Sequence, residues 1–223
     1  MPDKKIFLID GHALCYRSFY GISDLTNSKG QPTNAVYGFT STLLKILKQF
    51  APSHMAVCFD TGKKTLRQEK FEAYKIQRPS MPEGLISQLP LIKEVIRAYR
   101  IPVFEKDGYE ADDLIATIVH KLEKTGHELV IASDDKDMYQ LVKDNVSMYS
   151  FRQDKILGVK ESRERFGIEP SRITDYIALC GDTSDNIPGV HGIGEHVAIS
   201  VHADPVNVDF DDYVGRLRVA IGR

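Results

Sequence analysis

A chain of 223 residues is enough for one large domain, or one domain with a small appendage. At this size folding buries roughly 70% of the unfolded surface, so the core needs no staples. The chain is 42% hydrophobic and 27% charged, as in an ordinary globular protein, and its net charge is −2. Cys15, Cys58 and Cys180 are odd in number and far apart, which excludes a disulfide framework and a zinc knuckle and fits a reducing compartment. The opening stretch MPDKKIFLID has no long apolar run, so neither a signal peptide nor a membrane span is expected, and the expected location is the cytoplasm.

In chain order, IFLID (6–10) is an apolar run closed by Asp10. NAVYGFTSTLLKILKQF (34–50) has helical spacing, and MAVCFD (55–60) is a second apolar run, closed by Asp60. KKTLRQEKFEAYKIQR (63–78) holds six basic residues against two acids. It reads as a phosphate-binding surface or as a solvated helix face with internal ion pairs. PEGLISQLPLIKEVIRAY (82–99) carries Pro90 inside a helical pattern, which predicts a kink or two helices. PVFE (102–105) and VSMYS (146–150) read as short strands. EADDLIATIVHKLEKTG (110–126) is a helix with a glycine stop, and ELVIASDDKD (128–137) is an apolar run followed by Asp134, Asp135 and Asp137. SRITDYIALC (171–180) is a further helical run, followed by CGDTSDNIPGVHGIG (180–194), in which Asp182 and Asp185 precede a glycine-rich turn. Such a turn can present N–H groups to phosphate, although an Asp pair before glycines is also an ordinary turn.

Strands alternating with helices predict an α/β fold with a parallel sheet covered on both faces. Ligands then bind outside the carboxyl ends of the strands. Asp10, Asp60, Asp135 and Asp137 each follow an apolar run, so the topology gathers them on one edge, and Glu110, Asp112 and Asp113 open a helix on the same side. One or two of these last three are explained by capping and the helix dipole; three in four residues repel one another. With Asp182 and Asp185 the candidates number nine, and they cannot all ionise together without a cation. All-oxygen ligands imply magnesium, manganese or calcium. So many carboxylates suit two divalent ions about 4 Å apart, clamping a phosphoryl displacement. Without the nine, 22 acids face 29 lysines and arginines, a mildly basic frame that suits a nucleic-acid handler.

The motifs LIDGHALCYRSFY, NAVYGF, VCFD, YKIQRP, GYEADDLIA, SDDKDMYQL and GDTSDNIPGVHGIG occur in order between about Lys4 and Gly194. In this the chain resembles the 5′-nuclease domain at the N-terminus of bacterial DNA polymerase I, within the flap-endonuclease superfamily. The resemblance implies a PIN-like parallel sheet flanked by helices, a helical arch or gateway segment and a C-terminal helix-hairpin-helix-type element. It implies a PIN-like nuclease domain over 1–160 and a DNA-binding subdomain over 161–223, atypical or truncated after about 195. Asp10, Asp60, Glu110, Asp112 and Asp113 match the first metal cluster, and Asp135, Asp137, Asp182 and Asp185 the second, some of them binding through water. Lys75 matches the gateway lysine that steadies the scissile phosphate, Tyr74 a tyrosine that stacks near the scissile base, and Arg78 a further basic gateway position. Gly189, Gly192 and Gly194, in the hairpin, match residues that grip the duplex backbone; Arg17, Lys63 and Lys64 are further candidate DNA contacts. The implied activity is a structure-specific 5′ nuclease acting on DNA flaps and RNA primers in replication and repair, dependent on two Mg2+ or Mn2+ ions. A monomer near the nucleoid, with a DNA polymerase acting in trans, is expected.

Three features depart from the family pattern. Asp134 stands where a small residue is usual, His196 and Val197 replace a Lys-Thr pair, and the tail over 199–223 is interrupted by Asp204 and Pro205. A PIN-type ribonuclease would share the strand-end acids but not the basic arch and hairpin together. An aspartyl-phosphate phosphohydrolase would want an acid where His12 stands. A binding-only remnant has no use for nine carboxylates facing DNA. The spacing of Tyr16, Phe19, Tyr20, Tyr37 and Phe39 is that of core residues, and Cys58 is expected in the core. Arg17 is open between a phosphate contact and a structural ion pair. The seven histidines show no metal-ligand spacing.

Overall fold

The computed structural model describes residues 5–23 and 25–203. The Asp204–Pro205 interruption and the rest of the tail lie outside the described residues.

The strands β1 (Lys5–Asp10), β2 (His54–Cys58), β3 (Val103–Phe104), β4 (Glu128–Ala132), β5 (Val146–Ser150) and β6 (Lys155–Leu157) form one sheet in the order β3-β2-β1-β4-β5-β6. The first five are mutually parallel, and β6 pairs antiparallel with β5. β1 lies at the centre, with Leu8 opposite both Ala56 and Ile131. Its short apolar run is buried on both faces, as a central parallel strand requires. Phe7 and Ile9 face one helical layer, and Ile6 and Leu8 face the other.

The first layer holds α1 (Gly11–Gly21), α2 (Asn34–Phe50), α4 (Glu83–Ile86) and α5 (Leu89–Ala98). Ala35, Phe39, Leu43 and Ile46 make the buried stripe of α2, which ends where Ala51 turns left-handed at φ 41°. The Pro90 pattern resolves into two helices, α4 and α5, with the proline in the first turn of α5, where its missing N–H costs nothing. At their junction the fully buried Gln88 accepts the amides of Ala35 (2.8 Å) and Val36 (3.2 Å) and donates to Asn34 Oδ1 (2.9 Å).

The second layer holds α6 (Ala111–Leu122), α7 (Val159–Phe166), α8 (Ile173–Cys180) and a 3-10 turn over Asp137–Leu141. α6 stops four residues short of Gly126, because Asn145 Nδ2 takes the Glu123 carbonyl at 2.7 Å and the chain turns through Gly126 at φ 76°. α7 crosses position 160 and its Phe166 packs on the second-layer core, as does Ile199 of α9 (Glu195–Ala203). Two elements were not anticipated: the edge strand β6, and the small pair β7 (Gly181–Asp182) and β8 (Ile187–Pro188). Strands of three residues (β6) and two residues (β7 and β8) carry too little pattern to read.

Of the five aromatics expected in the core, Phe39 is fully buried, and Tyr16 and Phe19 pack on the first-layer core. Tyr20 and Tyr37 do not follow that expectation: they are 69% and 59% exposed. Tyr20 instead stacks on Tyr16, one helical turn earlier, with ring centroids 6.4 Å apart. Cys58 and Cys15 are buried, and desolvation pushes both thiols up to about 12. No helix among the described residues is long and apolar enough to cross a membrane.

Candidate metal centre and nucleic-acid interface

The chain leaves β1 toward β2 on one side and reaches β4 on the other, so the β1/β4 boundary is the topological switch point of the sheet. Asp10 closes β1 and caps α1, accepting the Ala13 amide at 2.9 Å and the Ser133 hydroxyl at 3.0 Å. Asp135 lies just past β4; its amide is held by Ser133 Oγ (3.1 Å), and its Oδ1 accepts the Asp137 amide at 2.9 Å. Ser133 therefore ties the two strand ends together. Asp60 follows β2 and accepts the Ala111 amide at 2.6 Å, which fixes the start of α6. His12 Nδ1 lies 3.1 Å from the Asp60 amide and 3.3 Å from its Oδ2.

Two clefts meet at Asp112. One, of about 310 Å³, is lined by Asp10, Asp60, Glu110, Asp112 and Asp135 with Lys75 and Arg78. The other, of about 410 Å³, is lined by Asp112, Asp113, Asp137 and Asp185 with Arg67 and Tyr74. Asp182 is buried beside the second group: Asp137, Asp182 and Asp185 each offer a carboxylate oxygen within 4.8 Å of the others. Among the described residues, Asp137 Oδ1 and Asp182 Oδ2 are buried oxygens without a hydrogen-bond partner. Orphaned carboxylate oxygens aimed into an all-oxygen group are what a hard cation needs. The donor chemistry fits a divalent metal ion.

The carboxylates differ in their electrostatics. Burial, reinforced by Asp10 and Asp135, pushes Asp112 up to about 8. Burial likewise lifts Asp10 to about 6, and burial with Asp135 and Asp182 lifts Asp137 to about 6. Burial opposes ionisation at Asp60 and Asp182 too, but it is outweighed. His12 and the Ala111 amide hold Asp60 below the usual carboxylate range, and Ser184 and Lys136 do so for Asp182. Lys136 Nζ lies 2.9 Å from Asp182 Oδ1, and the Ser184 hydroxyl donates to the same oxygen at 2.7 Å.

Asp113 is employed differently. Its Oδ2 accepts the Glu110 amide at 3.0 Å, and both its oxygens take Arg67 in a fork, at 2.9 and 2.7 Å. Of the three acids that open α6, this one caps the helix and carries a bidentate ion pair.

The basic stretch 63–78 forms the short helix α3 (Leu66–Lys70) and then a turn-rich strap that lies across both carboxylate groups. Lys75 Nζ is 2.9 Å from Glu110 Oε2 and 3.8 Å from Asp185 Oδ2. Arg78 pairs with Asp185 Oδ1. The Tyr74 hydroxyl donates to Asp185 Oδ2 at 3.0 Å with Glu110 Oε2 at 3.2 Å, and burial between these acids raises its pKa strongly. Arg67, Lys75, Arg78 and Lys136 thus set four cations against nine carboxylates.

The candidate DNA contacts divide. Lys63 pairs with Asp107 at 2.5 Å, Lys64 is exposed, and Arg17 lies 3.7 Å from Asp134. Asp134 points away from the other acids, accepting Ser150 Oγ at 2.6 Å and the Arg152 amide at 3.2 Å. Gly192 is left-handed at φ 84°, with open space above it and above Gly194. Gly189 instead packs against backbone: a Cβ there would lie 2.3 Å from the Cys180 carbonyl carbon. Val197 is 41% exposed on α9. Sequence reasoning missed the roles of Ser133, Arg67 and Lys136. All three stand inside stretches already singled out, but partners 43 to 123 residues away leave no periodic trace.

Two family models cover the chain: "5′-3′ exonuclease, N-terminal resolvase-like domain" over residues 5–167, and "5′-3′ exonuclease, C-terminal SAM fold" over residues 168–205. The chain is 41% identical over 198 residues to a 5′-3′ exonuclease of Aquifex aeolicus (strain VF5), covering 89% of this chain and 68% of that one. It is 45% identical over 203 residues to the DNA polymerase I of Bacillus caldotenax, but spans 23% of that relative's length. The structure of the T5 D15 protein, co-crystallised with metal ions, superposes with a TM-score of 0.73 at 26% identity, over 88% of this chain and 74% of that one. The motifs, the strand-end carboxylates and these matches agree: the chain is a nuclease that belongs to the 5′-3′ exonuclease family.

Proposed function

We propose that this chain hydrolyses phosphodiester bonds at the 5′ ends and 5′ flaps of DNA, and at RNA primers, in replication and repair. The observation that carries the reading is the convergence of carboxylates from five chain segments under the cations of the 71–78 strap, with two orphaned oxygens among them. Asp10, Asp60, Glu110, Asp112 and Asp113 are the proposed holders of one Mg2+ or Mn2+, and Asp135, Asp137, Asp182 and Asp185 of a second. Asp113 acts through Arg67 and the helix cap, or through water. Bound ions supply Lewis-acid activation of water and neutralise charge on the phosphate.

The other roles belong to protein groups. Lys75 and Arg78 are released from Glu110 and Asp185 when the acids gain another countercharge, and then hold the scissile phosphate by charge-assisted hydrogen bonds. Tyr74, beside Lys75, stacks near the scissile base. Arg17, Lys63, Lys64 and the hairpin around Gly189, Gly192 and Gly194 contact backbone phosphates of the duplex, with Gly192 and Gly194 as the accessible members. The chain works as a monomer near the nucleoid, with a DNA polymerase acting in trans.

The test is cleavage of a 5′-labelled flap by the purified chain, in magnesium and in EDTA. Magnesium-dependent cutting near the junction is expected. A folded chain that retains flap DNA without cutting it in either condition would leave only a binding role.

A further inference from the structure

The strap that carries Tyr74, Lys75 and Arg78 does not merely lie over the carboxylates. It is sewn to one loop, residues 183–186, by hydrogen bonds that do not involve the carboxylates themselves. The Lys75 amide donates to the Asp185 carbonyl at 3.0 Å. Gln77 Nε2 donates to the Thr183 carbonyl at 2.6 Å, and Arg78 Nε to the Ser184 carbonyl at 3.3 Å. In return, Asn186 Nδ2 donates to the Ala73 carbonyl at 2.8 Å. Four successive residues of the loop thus each hold the strap, across more than 100 residues of sequence.

Two backbone conformations show how closely the halves are fitted. Lys75 is left-handed at φ 56°, an unfavourable state for a long side chain, and the hydrogen bond from its amide to the Asp185 carbonyl holds it there. Asn186 is left-handed at φ 57°, a state asparagine tolerates, and this conformation lets the chain turn back so that its amide reaches the strap. The same loop carries Asp185 and follows Asp182. The cations of one segment and the second carboxylate group therefore share one scaffold.

We propose that Gln77 and Asn186 are positioning residues, which lock the 71–78 strap onto the 183–186 loop so that Tyr74, Lys75 and Arg78 are aligned with Asp182 and Asp185 as a single unit. Among the described residues, both side chains bond to backbone carbonyls and not to the carboxylates. The proposal rests on the nuclease reading for its effect on rate, but the lock itself is a property of the folded chain. Each neutral hydrogen bond lost should shift the docked-to-undocked ratio of the strap roughly fivefold.

The experiment compares the full chain with Gln77→Ala, Asn186→Gly and the double variant. Glycine keeps the left-handed turn while removing the amide, and Gln77 is exposed, so both variants should fold. Limited trypsin digestion at Lys70 and Lys75 reads the lock without any activity. The single variants should be cut roughly fivefold faster, and the double variant more than tenfold faster, at unchanged thermal midpoint. Single-turnover flap cleavage at saturating enzyme should fall in the same order, while flap affinity in EDTA stays within twofold. Gln77→Lys, which restores a donor but adds a trypsin site, should recover part of the single-turnover rate. Unchanged trypsin protection in the folded double variant would overturn the lock. Faster digestion with unaltered saturating cleavage would overturn its positioning role. Should the parent chain itself fail to cut, the nuclease reading falls and the digestion result still decides the lock.

Discussion

At the scale of single residues, the three acids that open α6 show how one short run of like charges is divided among different tasks. Asp113 caps the helix and grips Arg67; Asp112 lies half-buried between the two clefts, where desolvation and its neighbours disfavour its charge. With a folded-state pKa near 8, this carboxylate binds a proton that the unfolded chain has lost above about pH 4. Its protonated form contributes stability in full below that value, and the contribution is lost as pH rises to 8. In EDTA the thermal midpoint should therefore fall from pH 5 to pH 8, and Asp112→Asn should flatten that slope; a slope the variant leaves intact would place the titration elsewhere. The two neighbours should also separate in activity. Asp113→Asn keeps an acceptor for the Glu110 amide and should cost less magnesium-dependent cleavage than Asp112→Asn. Lys75→Ala removes the cation shared by Glu110 and Asp185 and should slow single-turnover cleavage roughly 10²-fold. Loss of affinity alone, with the saturating rate intact, would make Lys75 a binding residue.

At the scale of elements, the legible parts were those whose chemistry is local. Phe7 to Ile9 and Leu129 to Ile131 read as buried strands because continuous apolar runs have few other uses, and the strand-end acids then fell on one edge by topology alone. The α2 stripe was legible because its 3.6-residue period persists over four turns. What stayed hidden depends on distant partners. Nothing in TGHEL announces that Asn145 ends α6 early, and two-residue strands such as β7 carry no period at all. The glycine-rich turn illustrates the limit well. Its three glycines look alike in sequence, yet Gly189 is required by the Cys180–Gly181 backbone passing against it, whereas Gly192 and Gly194 face open space. Gly189→Ala should thus destabilise the chain by roughly 1–3 kcal/mol through forced overpacking. Gly194→Ala should leave the thermal midpoint nearly unchanged and show its effect, if it has one, in duplex affinity. Equal midpoints for the two variants would contradict the close approach.

At the scale of the whole molecule, the fold concentrates negative charge where the sheet can least disperse it. The switch point between β1 and β4 draws Asp10 and Asp135 together, α6 adds its first turn, and the 182–185 segment closes the group from the far side. Four cations from the strap, α3 and the loop after β4 offset part of it, which leaves an excess of carboxylate at the edge of a sheet whose two layers otherwise pack apolar side chains. Such an edge opposes folding when ionised and rewards folding when a divalent cation binds. Magnesium at 100 times its dissociation constant should therefore stabilise the chain by about 2.7 kcal/mol. In a domain of this size that amounts to roughly 5–10 °C in thermal midpoint. The gain should depend on pH in the direction opposite to that of the metal-free chain. Near pH 6, Asp10 and Asp137 are about half protonated and Asp112 largely so, and a cation must displace those protons; near pH 8 only about half a proton, on Asp112, remains to be displaced. A magnesium titration followed by thermal melting should then show a larger shift at pH 8 than at pH 6. In the Asp137→Asn, Asp182→Asn double variant, which removes a charge at each orphaned oxygen's carboxylate, the shift should be smaller at both. A shift independent of pH, or preserved in the double variant, would mean that the ions bind outside this carboxylate edge.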